Sequence, residues 1–122
     1  MSIPTILCID DEELGLEIRK MVLEREGYAV LTASDGLTGL SILESQPVDV
    51  VILDYAMPGL DGGRIAALMR ERRPEVPILM LSAHVDLPDD VQGVVSGSAT
   101  KGDGALSLIV TLKQILARSS AR

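Results

Sequence analysis

Five residues of this chain could do chemistry together. Asp10 and Asp11 follow the apolar run Thr5-Ile-Leu-Cys-Ile9, and Asp54 ends the run Val48-Asp-Val-Val-Ile-Leu53. Ser82 follows Pro77-Ile-Leu-Met-Leu81, and Lys101 follows a short run at Ser98 to Thr100. Each therefore lies at the expected C-terminal end of a strand, the edge where ligands bind in an open parallel sheet. Three carboxylates at one edge repel each other. A hard divalent cation relieves that repulsion, and oxygen ligands suit Mg²⁺, with Mn²⁺ able to substitute. Lys101 supplies a further positive charge and Ser82 a hydroxyl donor. Such a set suits phosphoryl transfer onto a carboxylate: Asp54 attacks as nucleophile, while Mg²⁺ and Lys101 neutralise the transferred group. It lacks what a hydrolytic triad needs, because the one histidine, His84, has no matching nucleophile motif.

These residues must be positioned by alternating strands and helices. Val48 to Leu53 is a short, mainly β-branched and apolar run interrupted only by Asp49, which reads as a strand buried on both faces. Thr5–Ile9, Tyr28–Thr32 and Pro77–Leu81 are further strands, and a short fifth is expected around Ser98 to Thr100. Between the first two strands, Leu14, Ile18, Met21 and Val22 share one helical face, with Glu17, Arg19, Lys20 and Glu24 elsewhere. Gly27 is a stop for that helix. Asp35-Gly36 opens a second helix that runs to about Gln46. Asp61 can cap a third, carrying Ile65, Leu68 and Met69. A weak helix is expected around Asp89 to Val95, in a stretch interrupted by Pro88, Gly93, Gly97 and Gly102. The last helix spans about Asp103 to Arg118, with Ile109, Leu112 and Leu116 on one stripe. Five β/α units predict an α/β fold, a doubly wound parallel sheet with helices on both faces.

Composition narrows the function classes. The chain has 122 residues, 47% of them apolar, which is one globular domain with a real core. Phe and Trp are absent, so that core is aliphatic. A formal net charge of −7 argues against direct nucleic-acid binding. No run is long enough for membrane insertion, and no signal peptide is visible, so a cytoplasmic domain is expected. The single cysteine, Cys8, lies inside an apolar strand and reads as a buried structural thiol.

Taken in order, Asp10-Asp11, Asp54 with Met57-Pro58-Gly59 and Asp61-Gly62, Ser82-Ala83 and Lys101 resemble the receiver domain of two-component response regulators. The resemblance covers essentially all of residues 1–122. An aspartate after a strand is often only a turn former or helix cap, which explains Asp10 or Asp54 singly but not the whole set in order. The resemblance implies a flavodoxin-like, CheY-like three-layer fold with strand order 2-1-3-4-5. It implies that Asp54 accepts a phosphoryl group from a sensor histidine kinase or phosphotransfer protein, changing the surface offered to a downstream protein. By the same resemblance Asp11 ligates Mg²⁺ directly, Asp10 acts mainly through water, and the Ala56 carbonyl is a further ligand. Ser82 would contact one phosphoryl oxygen and report phosphorylation, and Lys101 would pair with another. Dimerisation is compatible with this reading.

Three departures from the family pattern stand out. Ser98 occupies the position, three before the lysine, where the family usually has an aromatic residue. Gly102 follows the lysine where proline is usual, and the span from Ser82 to Lys101 is shorter than usual. An aromatic rotamer switch cannot operate through Ser98, so signalling is expected through backbone rearrangement of residues 85–102. Ala56 is small and blocks little of the path of attacking water, which predicts a short-lived phosphoryl group, whereas His84 could occlude that path. A phosphorylation-independent adaptor is the rival reading. An aspartyl-phosphate phosphatase or phosphotransferase is disfavoured, because Ala56 stands where such enzymes carry a second acid.

Overall fold

The structure, a computed structural model, describes residues 3–57, 62–83 and 87–120. Five strands, β1 (Thr5–Ile9), β2 (Ala29–Ala33), β3 (Val50–Asp54), β4 (Ile78–Ser82) and β5 (Gly97–Thr100), form one parallel sheet in the order 2-1-3-4-5. The helices are α1 (Glu13–Arg25), α2 (Gly36–Ser45), α3 (Gly62–Arg72), the short α4 (Asp89–Gln92) and α5 (Gly104–Ser120); one 3₁₀ turn, Lys101–Asp103, precedes α5. The expected fold class and strand order are thus observed. The Pro58-Gly59 turn, the Asp61 cap and His84 lie outside the described residues.

Strand periodicity divides the core in two. On one face Leu7, Ile9, Val51, Leu53, Ile78 and Met80 pack under α2, α3 and α4, against Leu40, Leu43, Ile65 and Met69. On the other, Ile6, Cys8, Val50, Ile52, Leu79 and Leu81 pack under α1 and α5, against Leu16, Leu23, Leu108 and Leu112. Each fully buried aliphatic side chain contributes about 1.5–3 kcal/mol of transfer free energy. The strands are apolar on both faces because both are covered. The two edge strands are the exceptions: β2 buries only Ala33, and β5 only Ala99.

Local signals account for several boundaries. Asp35 caps α2, its Oδ1 accepting the Thr38 N–H at 2.7 Å and its Oδ2 the Thr38 hydroxyl at 2.8 Å. Gly27 follows α1 with φ at 95°, a left-handed conformation that favours glycine. Strand ends differ from expectation by a residue or two: β2 starts at Ala29, not Tyr28, and β3 at Val50, not Val48. The α4 helix stops at Gln92, where Gly93 follows as its C-cap. The α5 stripe is Leu108, Leu112 and Ile115, one position back from the expected Ile109 and Leu116, which are half-buried.

The larger correction concerns α1. Leu14, Ile18 and Met21, expected to face the core, are 74%, 53% and 62% exposed. The inward face is Gly15, Leu16, Arg19, Val22 and Leu23. Two stripes compete at helical spacing, and the sheet takes the one whose leucines fit. Arg19 was expected on the polar face. Its long aliphatic stem instead runs inward while its charged end finds an acid, as amphipathic side chains do.

Candidate functional site

Strand register assembles the site. Ile9 pairs with Leu53, so the next residues, Asp10 and Asp54, fall side by side at the sheet edge. Asp54 pairs with Leu81 and Ser82 with Thr100, which brings Ser82 and Lys101 to the same edge. Backbone bonds extend the ladder past the strand ends: Asp10 N–H donates to the Ala33 carbonyl at 3.1 Å, and Tyr55 N–H to the Leu81 carbonyl at 2.8 Å. The acids therefore stand on rigid elements.

One oxygen from each of Asp10, Asp11 and Asp54 lies within 4.8 Å of the others. Asp10, Asp11 and Asp54 would hold a small divalent cation by drawing these oxygens closer together. The donors are all hard oxygens, as that ion requires. Asp10 and Asp54 are buried and Asp11 is exposed. Lys101 Nζ sits 3.1 Å from Asp54 Oδ1, 3.3 Å from Asp10 Oδ2 and 3.8 Å from Glu12 Oε1. Glu12, the N-cap residue of α1, is thus also a neighbour of the lysine. Ser82 is buried at the end of β4, and Ala56 is exposed two residues after Asp54.

The two buried acids differ in character. Burial pushes Asp54 up to about 6, the neighbouring Asp10 charge adds to that rise, and Lys101 opposes it. Burial works to raise Asp10 as well. There it is outweighed by the Glu12 N–H on Oδ1 at 3.0 Å and by the Lys101 and Arg19 charges, which hold Asp10 below the usual carboxylate range. Burial would lower Lys101, but Asp54 and Asp10 together raise it. Asp10 is thus the anchored anion, and Asp54 the acid whose charge is under-compensated. A divalent cation held by this trio would supply the missing positive charge.

Sequence reasoning missed one residue of this site. Arg19 reaches Asp10 Oδ2 through Nη2 at 3.3 Å, with a side chain only 13% exposed. Its spacing from the apolar residues of α1 made it look solvated. The signal that could have found it is the spacing of Leu16, Arg19 and Leu23, three and four residues apart on one helical face.

Comparison with known proteins decides the family. Residues 6–101 match the family model described as the response regulator receiver domain. The chain belongs to the response regulator receiver family. This receiver domain is 36% identical over 117 residues to the transcriptional regulatory protein CseB of Streptomyces coelicolor, with 93% of the chain and 49% of that protein covered. The chain thus spans about half the length of the curated relatives it matches. A receiver domain from Clostridium thermocellum superposes with TM-score 0.89 at 31% identity, covering 98% of each chain. The response regulator TrrA of Thermotoga maritima, solved in complex with Mg²⁺-BeF, superposes with TM-score 0.87 at 30% identity, covering 93% of this chain and 99% of that one. Receiver domains are signalling domains of two-component systems and not classical enzymes. Among the described residues, no helix of this receiver domain is long and apolar enough to cross a membrane.

Proposed function

We propose that Asp54 is the phosphoacceptor of this receiver domain. The observation that carries the reading is the sharing of one edge by Asp10, Asp11, Asp54 and Lys101, with three acid oxygens within 4.8 Å and Lys101 Nζ 3.1 Å from Asp54. Asp54 Oδ attacks the phosphorus of a phosphohistidine on a sensor kinase or phosphotransfer protein. The P–N bond breaks, the new O–P bond forms, and the leaving imidazole keeps the electron pair and takes up a proton. Mg²⁺, or Mn²⁺ in its place, would be held by Asp10, Asp11, Asp54 and the Ala56 carbonyl, and would offset charge on the transferred group. Lys101 leaves its bonds to Asp54 and Asp10 to pair with one phosphoryl oxygen. The Ser82 hydroxyl donates to another and reports phosphorylation to the surface. Ser98 is exposed on β5 and carries no aromatic ring, so the report travels through backbone near β5. The exposed Ala56 leaves the path of attacking water open, and the phosphoryl group is short-lived. The downstream partner is a protein, and the setting is the cytoplasm.

The test is direct. The protein is incubated with Mg²⁺ and a small acyl-phosphate donor beside an Asp54→Ala variant, and intact masses are recorded promptly. One phosphoryl group on the parent and none on the variant is the expected result. Equal labelling of both, or none on either with beryllofluoride also failing to bind, would refute the assignment.

A further inference from the structure

Arg19 is the feature of this site that the phosphoacceptor chemistry does not use. It enters from α1, beneath the sheet edge, and its charge reaches both Asp10 and the buried Cys8. Its second terminal nitrogen, Nη1, is buried and has no hydrogen-bond partner among the described residues. A buried guanidinium is expensive, and a chain keeps one only where it is paired to advantage. The side chain is only 13% exposed, so its charge is held largely out of water beside Asp10. Arg19 lines a cavity of about 310 Å³ between α1 and α5, together with Val22 and Leu108 and with Asp10 and Lys101 of the acidic edge.

Asp10 Oδ2 is shared by two cations at the same distance, 3.3 Å, one from Lys101 and one from Arg19. They are not equivalent. Lys101 is 27% exposed, lies in a 3₁₀ turn and divides itself among three acids. Arg19 is nearly enclosed, and Asp10 is the acid it pairs with. If Lys101 departs, Asp10, itself 1% exposed, still has a counter-charge. Without Arg19 the same departure strands a buried carboxylate, which is strongly unfavourable. Arg19 also reduces the negative charge that draws a divalent ion to the trio.

We propose that Arg19 is a positioning residue. It is a fixed counter-ion that anchors Asp10, frees Lys101 to move to the phosphoryl group, and weakens Mg²⁺ binding as the cost of doing so. This rests on reading the site as a magnesium-dependent phosphoacceptor. The electrostatic role has a sign that a purely structural role does not share. Removing the charge strengthens attraction for the ion, whereas a merely displaced Asp10 would bind it more weakly.

The experiment is a calorimetric Mg²⁺ titration of the parent, Arg19→Met, Arg19→Gln and Arg19→Lys, with circular dichroism to show that each is folded. Methionine keeps the apolar stem and glutamine keeps a donor near Asp10, so a neutral variant survives even if one of the two fails to fold. The neutral variants are expected to bind Mg²⁺ about tenfold more tightly, as for loss of one nearby like charge at intermediate dielectric. Arg19→Lys should stay within about twofold of the parent, because it keeps the charge. Unchanged or weaker binding in a folded neutral variant overturns the proposal for Arg19 alone, provided the parent is labelled at Asp54. A parent that neither binds Mg²⁺ nor accepts a phosphoryl group overturns both readings.

Discussion

Asp54→Asn should make the metal-free protein more stable at neutral pH while abolishing phosphorylation. Burial, aided by the Asp10 charge, raises the Asp54 carboxyl from 3.8 to about 6 in the folded state. The unfolded chain titrates near the ordinary value. Below pH 4 both states are protonated, and the native preference for the neutral acid is fully felt. As pH rises through about 6 the folded protein must ionise Asp54, and that contribution is lost. Two pKa units correspond to about 3 kcal/mol. The Lys101 contact is already counted in that figure, because the lysine opposes the rise. Asparagine keeps the shape and stays neutral at every pH, so it escapes the penalty. The expected gain at pH 8 is about 2–3 kcal/mol, which is roughly 6–15 °C in Tm for a domain of this size. The assay is thermal unfolding by circular dichroism in EDTA, parent against variant, from pH 4 to pH 8. The gap should open with rising pH and close again when Mg²⁺ is added, since a cation stabilises the ionised parent. A gap of zero at pH 8, or one equally large at pH 4, would show that Asp54 is not under electrostatic strain.

Other outcomes follow from particular contacts. A Cβ on Gly62 would stand 2.6 Å from the Asp54 carbonyl oxygen and 2.7 Å from Tyr55 Cα. Both are backbone atoms, so Gly62→Ala should cost about 2–3 kcal/mol despite alanine's better helix propensity, as denaturant unfolding would show. Gly15→Ala meets open space and should instead gain about 0.5–1 kcal/mol in the same assay. The Cys8 thiol is fully enclosed, and burial pushes it up to about 12, so a thiol reagent at pH 8 should modify it only in denaturant. Complete labelling of the native protein within minutes would contradict that burial. Asp35→Ala removes both hydrogen bonds to Thr38 at the start of α2 and should lower stability by about 1 kcal/mol in a urea titration.

The strands and the acidic edge were legible because their signals are local and redundant. β3 is apolar at consecutive positions and ends in an acid, and only a doubly covered parallel strand tolerates that pattern. Asp10, Asp54, Ser82 and Lys101 then follow from strand ends alone. The α1 face was not legible, because Leu14, Ile18 and Met21 form as good an apolar stripe as the buried one. Periodicity finds a stripe but cannot say which of two the sheet will accept. Arg19 was misplaced for the same reason: a charge at an inward position makes sense only once Asp10 is known to lie beneath it. Small errors at strand ends reflect how backbone pairing, and not composition, sets where a ladder stops.

The thinness of β5 carries a consequence for how the domain responds to heat. Gly97, Ser98, Ala99 and Thr100 bury a single methyl group among them, while every residue of β3 and β4 is buried. Local opening follows the places with least apolar contact. β5 is also an edge strand, paired to β4 alone. Lys101 sits at its end, so fraying of β5 carries the lysine away from Asp54 while the inner strands β1, β3 and β4 hold. The contact between Lys101 and Asp54 is therefore expected to be lost on heating before the inner sheet opens.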